Sequence, residues 1–270
     1  MSEMLMRFMT ILLIILFLSL IFIFGNHLSF MIISFLIGSY AFYEWITITS
    51  KSRLYLLLFI FFISLGLFIQ LDYIKYLSLF SIGIWLILII SMFMSSDIMK
   101  NQIKKNSTII GFFIIVSFFF HLITFFSIDS KLSNDNSLLD GKHYLLLFIS
   151  LLTIIDTFSY LSGKIFGTLK IVPQISPNKT IEGYIGGYIS TVIVYLAFLE
   201  IYRISWAYLD IVYLTLLILF AFSGDLFMSL VKRTYEIKDT GNLLPGHGGL
   251  LDRLDSYLPS IPLFFIWIMI

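Results

Sequence analysis

Apolar residues in this chain come in long uninterrupted runs divided by short polar connections. They do not alternate with polar ones as in a half-buried strand. A helix that crosses a bilayer needs roughly 20 apolar residues, within about 17–25. Runs of that length predict helices near 8–24, 29–49, 54–71, 76–95, 108–127, 143–162, 183–202, 207–230 and 254–270. Only Leu71–Lys75 divides the third run from the fourth. The first, Phe8 to Phe24, follows Arg7, lacks a small-residue cleavage site and is long for a signal sequence, so it reads as a retained helix. The expectation is an all-α integral membrane protein with about nine transmembrane helices. Residues 1–142 would hold the first five, and residues 143–270 the last four, as the catalytic region.

Composition agrees with the pattern. The chain of 270 residues is 59% hydrophobic and 12% charged, against about 25% charged in soluble domains. A soluble all-α fold is excluded because its surface could not be covered with charge. The net charge of +1 points to no partner. The absence of cysteine excludes disulfide, thiolate and Cys–zinc chemistry. Cations mark the orientation: with nine helices, thirteen Lys and Arg fall on one side and four, Lys75, Lys131, Lys142 and Arg203, on the other. Cytoplasmic loops are enriched in Lys and Arg, which places the N-terminus and the polar loops in the cytoplasm.

Two polar constellations lie on that cytoplasmic side. The first runs from Asp156 to Gly183. Asp156, Ser159, Tyr160, Gly163, Lys164 and Gly167 recur at helical spacing and can share a face. Ser176-Pro177-Asn178-Lys179-Thr180 follows, with Ser176 or Thr180 placed to cap the next helix. A loop with a cap accounts for this segment as well as an anion site does, in which a lysine and backbone N–H groups face phosphate.

The second, Ser223 to Asp255, holds Asp225, Lys232, Arg233, Lys238, Asp239, His247, Asp252, Arg253 and Asp255, with Gly246, Gly248 and Gly249 as a nearly side-chain-free segment. A carboxylate such as Asp225 inside a membrane helix is costly unless paired or solvated. Asp252 and Asp255, three apart, can present oxygens to one ion, although acidic residues at a helix start are also common for their own sake. Hard oxygen donors without cysteine favour Mg²⁺ or Mn²⁺ over zinc. Together, the carboxylates and cations point to phosphoryl or nucleotidyl transfer near the membrane surface.

The order Ser223, eight residues, Lys232-Arg233, four residues, Lys238-Asp239, Gly241, Leu244-Pro245, His247-Gly248-Gly249-Leu250, Asp252-Arg253-Leu254-Asp255 resembles the signature of the phosphatidate cytidylyltransferases, or CDP-diacylglycerol synthases. The upstream Asp156…Tyr160…Gly163-Lys164…Gly167 and Ser176–Gly183 resemble that family too, with Asn178 where a lysine is more usual. The motifs cover roughly the C-terminal 120 residues, and Glu44-Trp45 is a faint echo upstream. The resemblance implies transfer of a cytidylyl group from CTP to phosphatidate, dependence on Mg²⁺, a second monovalent cation such as K⁺, a homodimer, a bacterial inner membrane and phospholipid synthesis. No nucleic-acid partner is expected.

On this reading Asp225, Asp252 and Asp255 are the metal ligands. Asp225, Lys232, Arg233, Lys238, Asp239, His247 and Arg253 are the catalytic set. Ser176, Lys179, Thr180, Asp156, Tyr160, Lys164, Gly248 and Gly249 bind substrate, Lys179 taking the lipid phosphate. Another CTP-using lipid transferase, acting on a prenyl-chain lipid phosphate or a lipid alcohol, shares this logic. A cation-coupled transporter fits less well, because its site would lie at the midplane and not on one side.

Overall fold

The computed structural model describes residues 25–49, 52, 54–66, 73–92, 96–125, 140–173, 175–176, 178–205, 207–243 and 248–269. The predicted run at 8–24, together with Pro177 and His247, lies outside them. The described helices are α1 (His27–Ile48), α2 (Leu54–Gly66), α3 (Ile74–Ser91), α4 (Ser96–Thr124), α5 (Gly141–Phe166), α6 (Ile181–Tyr202), α7 (Tyr208–Thr234), α8 (Leu251–Leu254) and α9 (Tyr257–Met269). Among the described residues the extended backbone amounts to one isolated bridge, Lys170 to Thr180. The fold is all-helical. Six helices, α1 and α3 to α7, are long and apolar enough to cross a membrane, while α9 is apolar but shorter.

Local chemistry sets the boundaries. The Asn26 side chain accepts the Ser29 N–H at 2.9 Å and starts α1. Asp140 accepts the N–H groups of Lys142 and His143 at 3.0 and 3.2 Å and starts α5. Arg203, at φ 55°, ends α6 in the left-handed region.

Two boundaries differ from the hydrophobic reading. Helix α4 begins at Ser96, although its apolar run begins near 108. Met99, Ile103 and Ser107 are buried at four-residue spacing, so the polar stretch is an amphipathic extension of the helix. The Trp45 indole N–H donates to the Ser107 carbonyl at 2.8 Å and fastens that extension to α1. The last predicted helix, 254–270, is α9, which starts later, at Tyr257, because a turn at Asp255 and Ser256 separates it from the short α8 before it.

Helix α9 is the hub of the bundle, packed against α7, α3 and α4. Every residue from Leu258 to Ile266 is buried, as expected of a helix apolar on all sides. Helices α5 and α6 form a tight hairpin beside it. One interior polar group is satisfied on both sides of its ring. The buried His121 has its Nδ1 2.6 Å from the Ser117 carbonyl, to which it donates, and its Nε2 accepts the Ser78 hydroxyl at 2.7 Å.

Candidate active site

The strap between α5 and α6 carries Lys179. Its base is closed by the Ile181 N–H donating to the Leu169 carbonyl at 2.9 Å and the Ile171 N–H donating to that of Lys179 at 3.1 Å. Glu182 accepts the Thr168 hydroxyl and the Leu169 N–H from across the base. The Thr180 hydroxyl accepts the Gly183 N–H at 3.2 Å and caps α6, and Gly163 and Gly183 leave room for it. The cap is therefore Thr180 and not Ser176. The strap delivers the Lys179 ammonium to Asp225 on α7, and the two form an ion pair.

Around that pair lies a cavity of about 330 Å³. It is lined by Asp156 and Tyr160 from α5, Ser176, Lys179 and Thr180 from the strap, Asp225, and Asp252, Arg253 and Asp255 from α8 and its following turn. The Ser256 hydroxyl lies 3.3 Å from Asp255 and 3.2–3.3 Å from both oxygens of Asp156, and so bridges the two carboxylates. Burial pushes the Asp255 carboxyl well above the ordinary carboxylate range, and the negative charges of Asp225 and Asp156 push it further. Three carboxylates thus face one space, with Lys179 and Arg253 as cations on its wall.

Asp252 has a different setting. Burial alone would raise its carboxyl, but Lys232, the Thr240 N–H and the Gly249 N–H outweigh that and hold it below the ordinary value of 3.8. The Lys232 ammonium donates to Oδ1 at 2.7 Å, while the Thr240 and Gly249 N–H groups donate to Oδ2 at 2.7 and 3.1 Å. Asp252 borders the cavity with both oxygens already engaged. Among the described residues, no three His, Cys, Asp or Glu side chains converge closely enough to ligate one ion unaided.

A second cavity of about 560 Å³ adjoins the first, since Ser176 and Asn178 line both. Lys232, Arg233 and Lys238 line it as well, with Glu236. Lys232, Arg233 and Lys238 of the 223–255 stretch thus line one cavity with Glu236, while Asp225, Asp252 and Asp255 line its neighbour with Arg253. Asp239 and Lys238 are exposed on the connection after α7. Gly248 adopts φ +84°, which an L side chain resists, and a Cβ there would stand 2.9 Å from the Asp252 carboxylate. Lys164 does not line the cavity. Its ammonium lies 5.9 Å from the ring centroid of Tyr160 at the exposed rim.

A family model described as the cytidylyltransferase family matches residues 5–270. The chain belongs to the cytidylyltransferase family. Among similar proteins, a phosphatidate cytidylyltransferase of Staphylococcus aureus (strain COL) is 45% identical over 130 residues, covering 47% of this chain and 49% of that protein. One of Staphylococcus haemolyticus (strain JCSC1435) is 43% identical with the same coverage. One of Bacillus subtilis (strain 168) is 41% identical over 111 residues, 41% of each chain. The chain spans about half the length of the curated relatives it matches.

Three residues in or beside these cavities escape a reading by spacing. Ser256 follows Asp255 directly and signals nothing by type. Tyr184 lines the cavity and stacks on Phe222, ring centroids 3.6 Å apart. Glu44 reaches the signature from α1, and only the faint Glu44-Trp45 echo hinted at it.

Proposed function

We propose that this cytidylyltransferase moves a cytidylyl group from CTP to phosphatidate, giving CDP-diacylglycerol and pyrophosphate. The observation that carries the reading is the pair of adjoining cavities, one walled by Asp156, Asp225 and Asp255 around Lys179, the other by Lys232, Arg233 and Lys238. The names of the relatives support the choice of substrates.

In the reaction a phosphate oxygen of phosphatidate attacks the α-phosphorus of CTP, and the bond to the departing pyrophosphate breaks. The nucleophile is already an anion, so no covalent enzyme intermediate is needed. The protein's task is to hold two anions together and to place fixed charge where charge moves. Lys179 holds the lipid phosphate. Arg233 and Lys238 hold the triphosphate in the basic cavity, with Lys232 steadied by Asp252. Arg253 borders both the polar cavity and an apolar one lined by Phe30, Phe118 and Phe148, so it sits where a lipid headgroup meets its chains. His247 positions substrate or the glycine segment.

Asp225 and Asp255, beside Asp156, would be the donors for Mg²⁺ or Mn²⁺: hard oxygens crowded together, whose mutual repulsion a bound cation would relieve. When bound, the ion supplies charge neutralisation to the phosphates. Asp252, with its oxygens engaged, would join the ligands only by giving up Lys232 or the loop amides. A monovalent cation such as K⁺, a homodimer and a cytoplasmic site at a bacterial membrane belong to the same reading.

The test is an assay of purified protein with labelled CTP and phosphatidate. Lipid-extractable label should accumulate with Mg²⁺ and vanish with chelator. Label that enters a prenyl phosphate or a lipid alcohol, and not phosphatidate, would overturn the choice of acceptor.

A further inference from the structure

Glu44 lies on α1, only 2% exposed, near the end of a helix apolar enough to cross the membrane. A buried carboxylate is expensive unless its oxygens are satisfied. Here both are. Oε1 accepts the Leu250 N–H and Oε2 the Leu251 N–H, each at 2.9 Å, across more than 200 residues of sequence. The Thr240 hydroxyl stands 3.3 Å from Oε2 and 2.9 Å from Asp252 Oδ2, between the two carboxylates. Asp252 in turn accepts the Lys232 ammonium. A chain of contacts therefore runs from α1 through the 240–251 loop to a cation of the basic cavity and to the backbone just before Arg253.

The glycines of the signature tell the same story. A Cβ on Gly241 would collide with the Glu44 carboxylate. One on Gly249 would lie 2.8 Å from Glu44 Oε2 and 2.6 Å from the Gly241 nitrogen. Gly241 needs a bare backbone because this carboxylate occupies the space, and Gly249 because the Thr240 hydroxyl, the Gly241 nitrogen and the same carboxylate crowd it.

We infer that Glu44 is a positioning residue for the cytidylyl-transfer site: through the amides of Leu250 and Leu251 and the Thr240 hydroxyl it sets the loop that aims Asp252, Arg253 and Lys232. The inference rests on the proposed reaction for its kinetic consequence and on geometry alone for its structural one. Glu44→Gln keeps size but sets an NH₂ group against an amide N–H, so one hydrogen bond becomes a clash of donors.

The experiment compares wild-type and Glu44→Gln protein in phosphatidylcholine nanodiscs, with CTP and phosphatidate as probes. It follows turnover per folded molecule, the KM of each substrate, and amide hydrogen exchange. The expected result is a fall in kcat of about 10–100-fold, as for a displacement near 1 Å, with a smaller change in either KM. Exchange at Leu250 and Leu251 should quicken at least about tenfold, the worth of one hydrogen bond, while Leu214–Phe222 on α7 is unaffected. Unchanged kcat per folded molecule, or unchanged exchange at Leu250 and Leu251, would overturn the inference. So would activity lost only in step with folded protein, which a purely structural role predicts. If the variant does not fold, wild-type exchange decides. Strong protection of the Leu250 and Leu251 amides relative to Gly241–Leu243 supports the inference, and equal exchange overturns it. If wild-type protein transfers nothing to phosphatidate, the reaction is at fault, and the exchange measurement still judges Glu44.

Discussion

Asp225 and Lys179 meet inside the cavity as opposite charges from different elements, and each removal has its own consequence. Asp225→Asn keeps shape but deletes a carboxylate donor and leaves Lys179 without its counter-charge. Turnover should fall about 10²–10³-fold, the usual scale for losing one charge-stabilising group, while the purified protein still gives a cooperative melt. Near-normal turnover at limiting Mg²⁺ would remove the carboxylate cavity from the mechanism. Lys179→Ala should raise the KM for phosphatidate more than that for CTP. The reverse order would assign Lys179 to the nucleotide. Much of this was legible in the residues: a carboxylate in an apolar helix, and a lysine beside a helix start, each asked for a partner. That the two partner each other was not, because the meeting depends on how the strap folds back onto α7. For the same reason spacing grouped Asp252 with Asp225 and Asp255, whereas Lys232, Thr240 and Gly249 engage it in the structure. Helical periodicity says which residues share a face, not which neighbour each side chain finds.

Among the elements, α5 and α6 decide whether the strap stands where it must. Small residues allow the two helices to touch. A Cβ on Gly187 would meet the Ser159 hydroxyl and stand 3.0 Å from the Ile155 carbonyl, and one on Gly183 would stand 2.8 Å from the Ser159 carbonyl and 3.3 Å from the Gly163 Cα. Gly183 and Gly187 are four apart, the spacing that lets membrane helices pack backbone to backbone. Gly187→Leu should cost about 1–3 kcal/mol through overpacking, read as a lowered melting temperature. Activity should fall with it, because the strap moves with α6. The start of α5 allows a second test. Burial would raise the Asp140 carboxyl, but the His143 N–H, the His143 ring and the Lys142 N–H hold it below 3.8. A carboxylate depressed in the folded state stabilises above its unfolded value and loses that contribution as pH falls through the folded one. Asp140→Ala should therefore cost about 1 kcal/mol at pH 7, and the gap to wild type should close below 3.8. Thermal melts of both proteins across pH would show it. The element pattern itself was mostly visible as apolar runs. It failed where a helix continues on polar residues, as α4 does from Ser96.

For the molecule as a whole, the enrichment of Lys and Arg in cytoplasmic loops predicts that the strap faces one side of the membrane and the α6–α7 link the other. The chain has no cysteine, so single cysteines report cleanly. Cysteines at Ser176 and Ser205 should react with an impermeant maleimide from opposite sides of a sealed vesicle, Ser176 from the cytoplasmic one. Reaction of both from one side would remove α6 as a spanning helix, and Ser176 reacting from the far side with Ser205 from the cytoplasmic one would reverse the orientation.

The bond from α1 to the signature also has a history in time. Glu44 is synthesised some 200 residues before the amides it will hold. At about 5–20 residues per second it waits roughly 10–40 s for them. During that interval its carboxylate has none of its final donors, a burden of up to about 3 kcal/mol at membrane depth, which the apolar remainder of α1 must outweigh for the helix to insert. A newborn chain therefore holds an unsatisfied acid in its membrane, and only the arrival of the glycine loop relieves it. Substitutions at Gly241 and Gly249 would then slow maturation at a late step, after α1 to α7 have already been made.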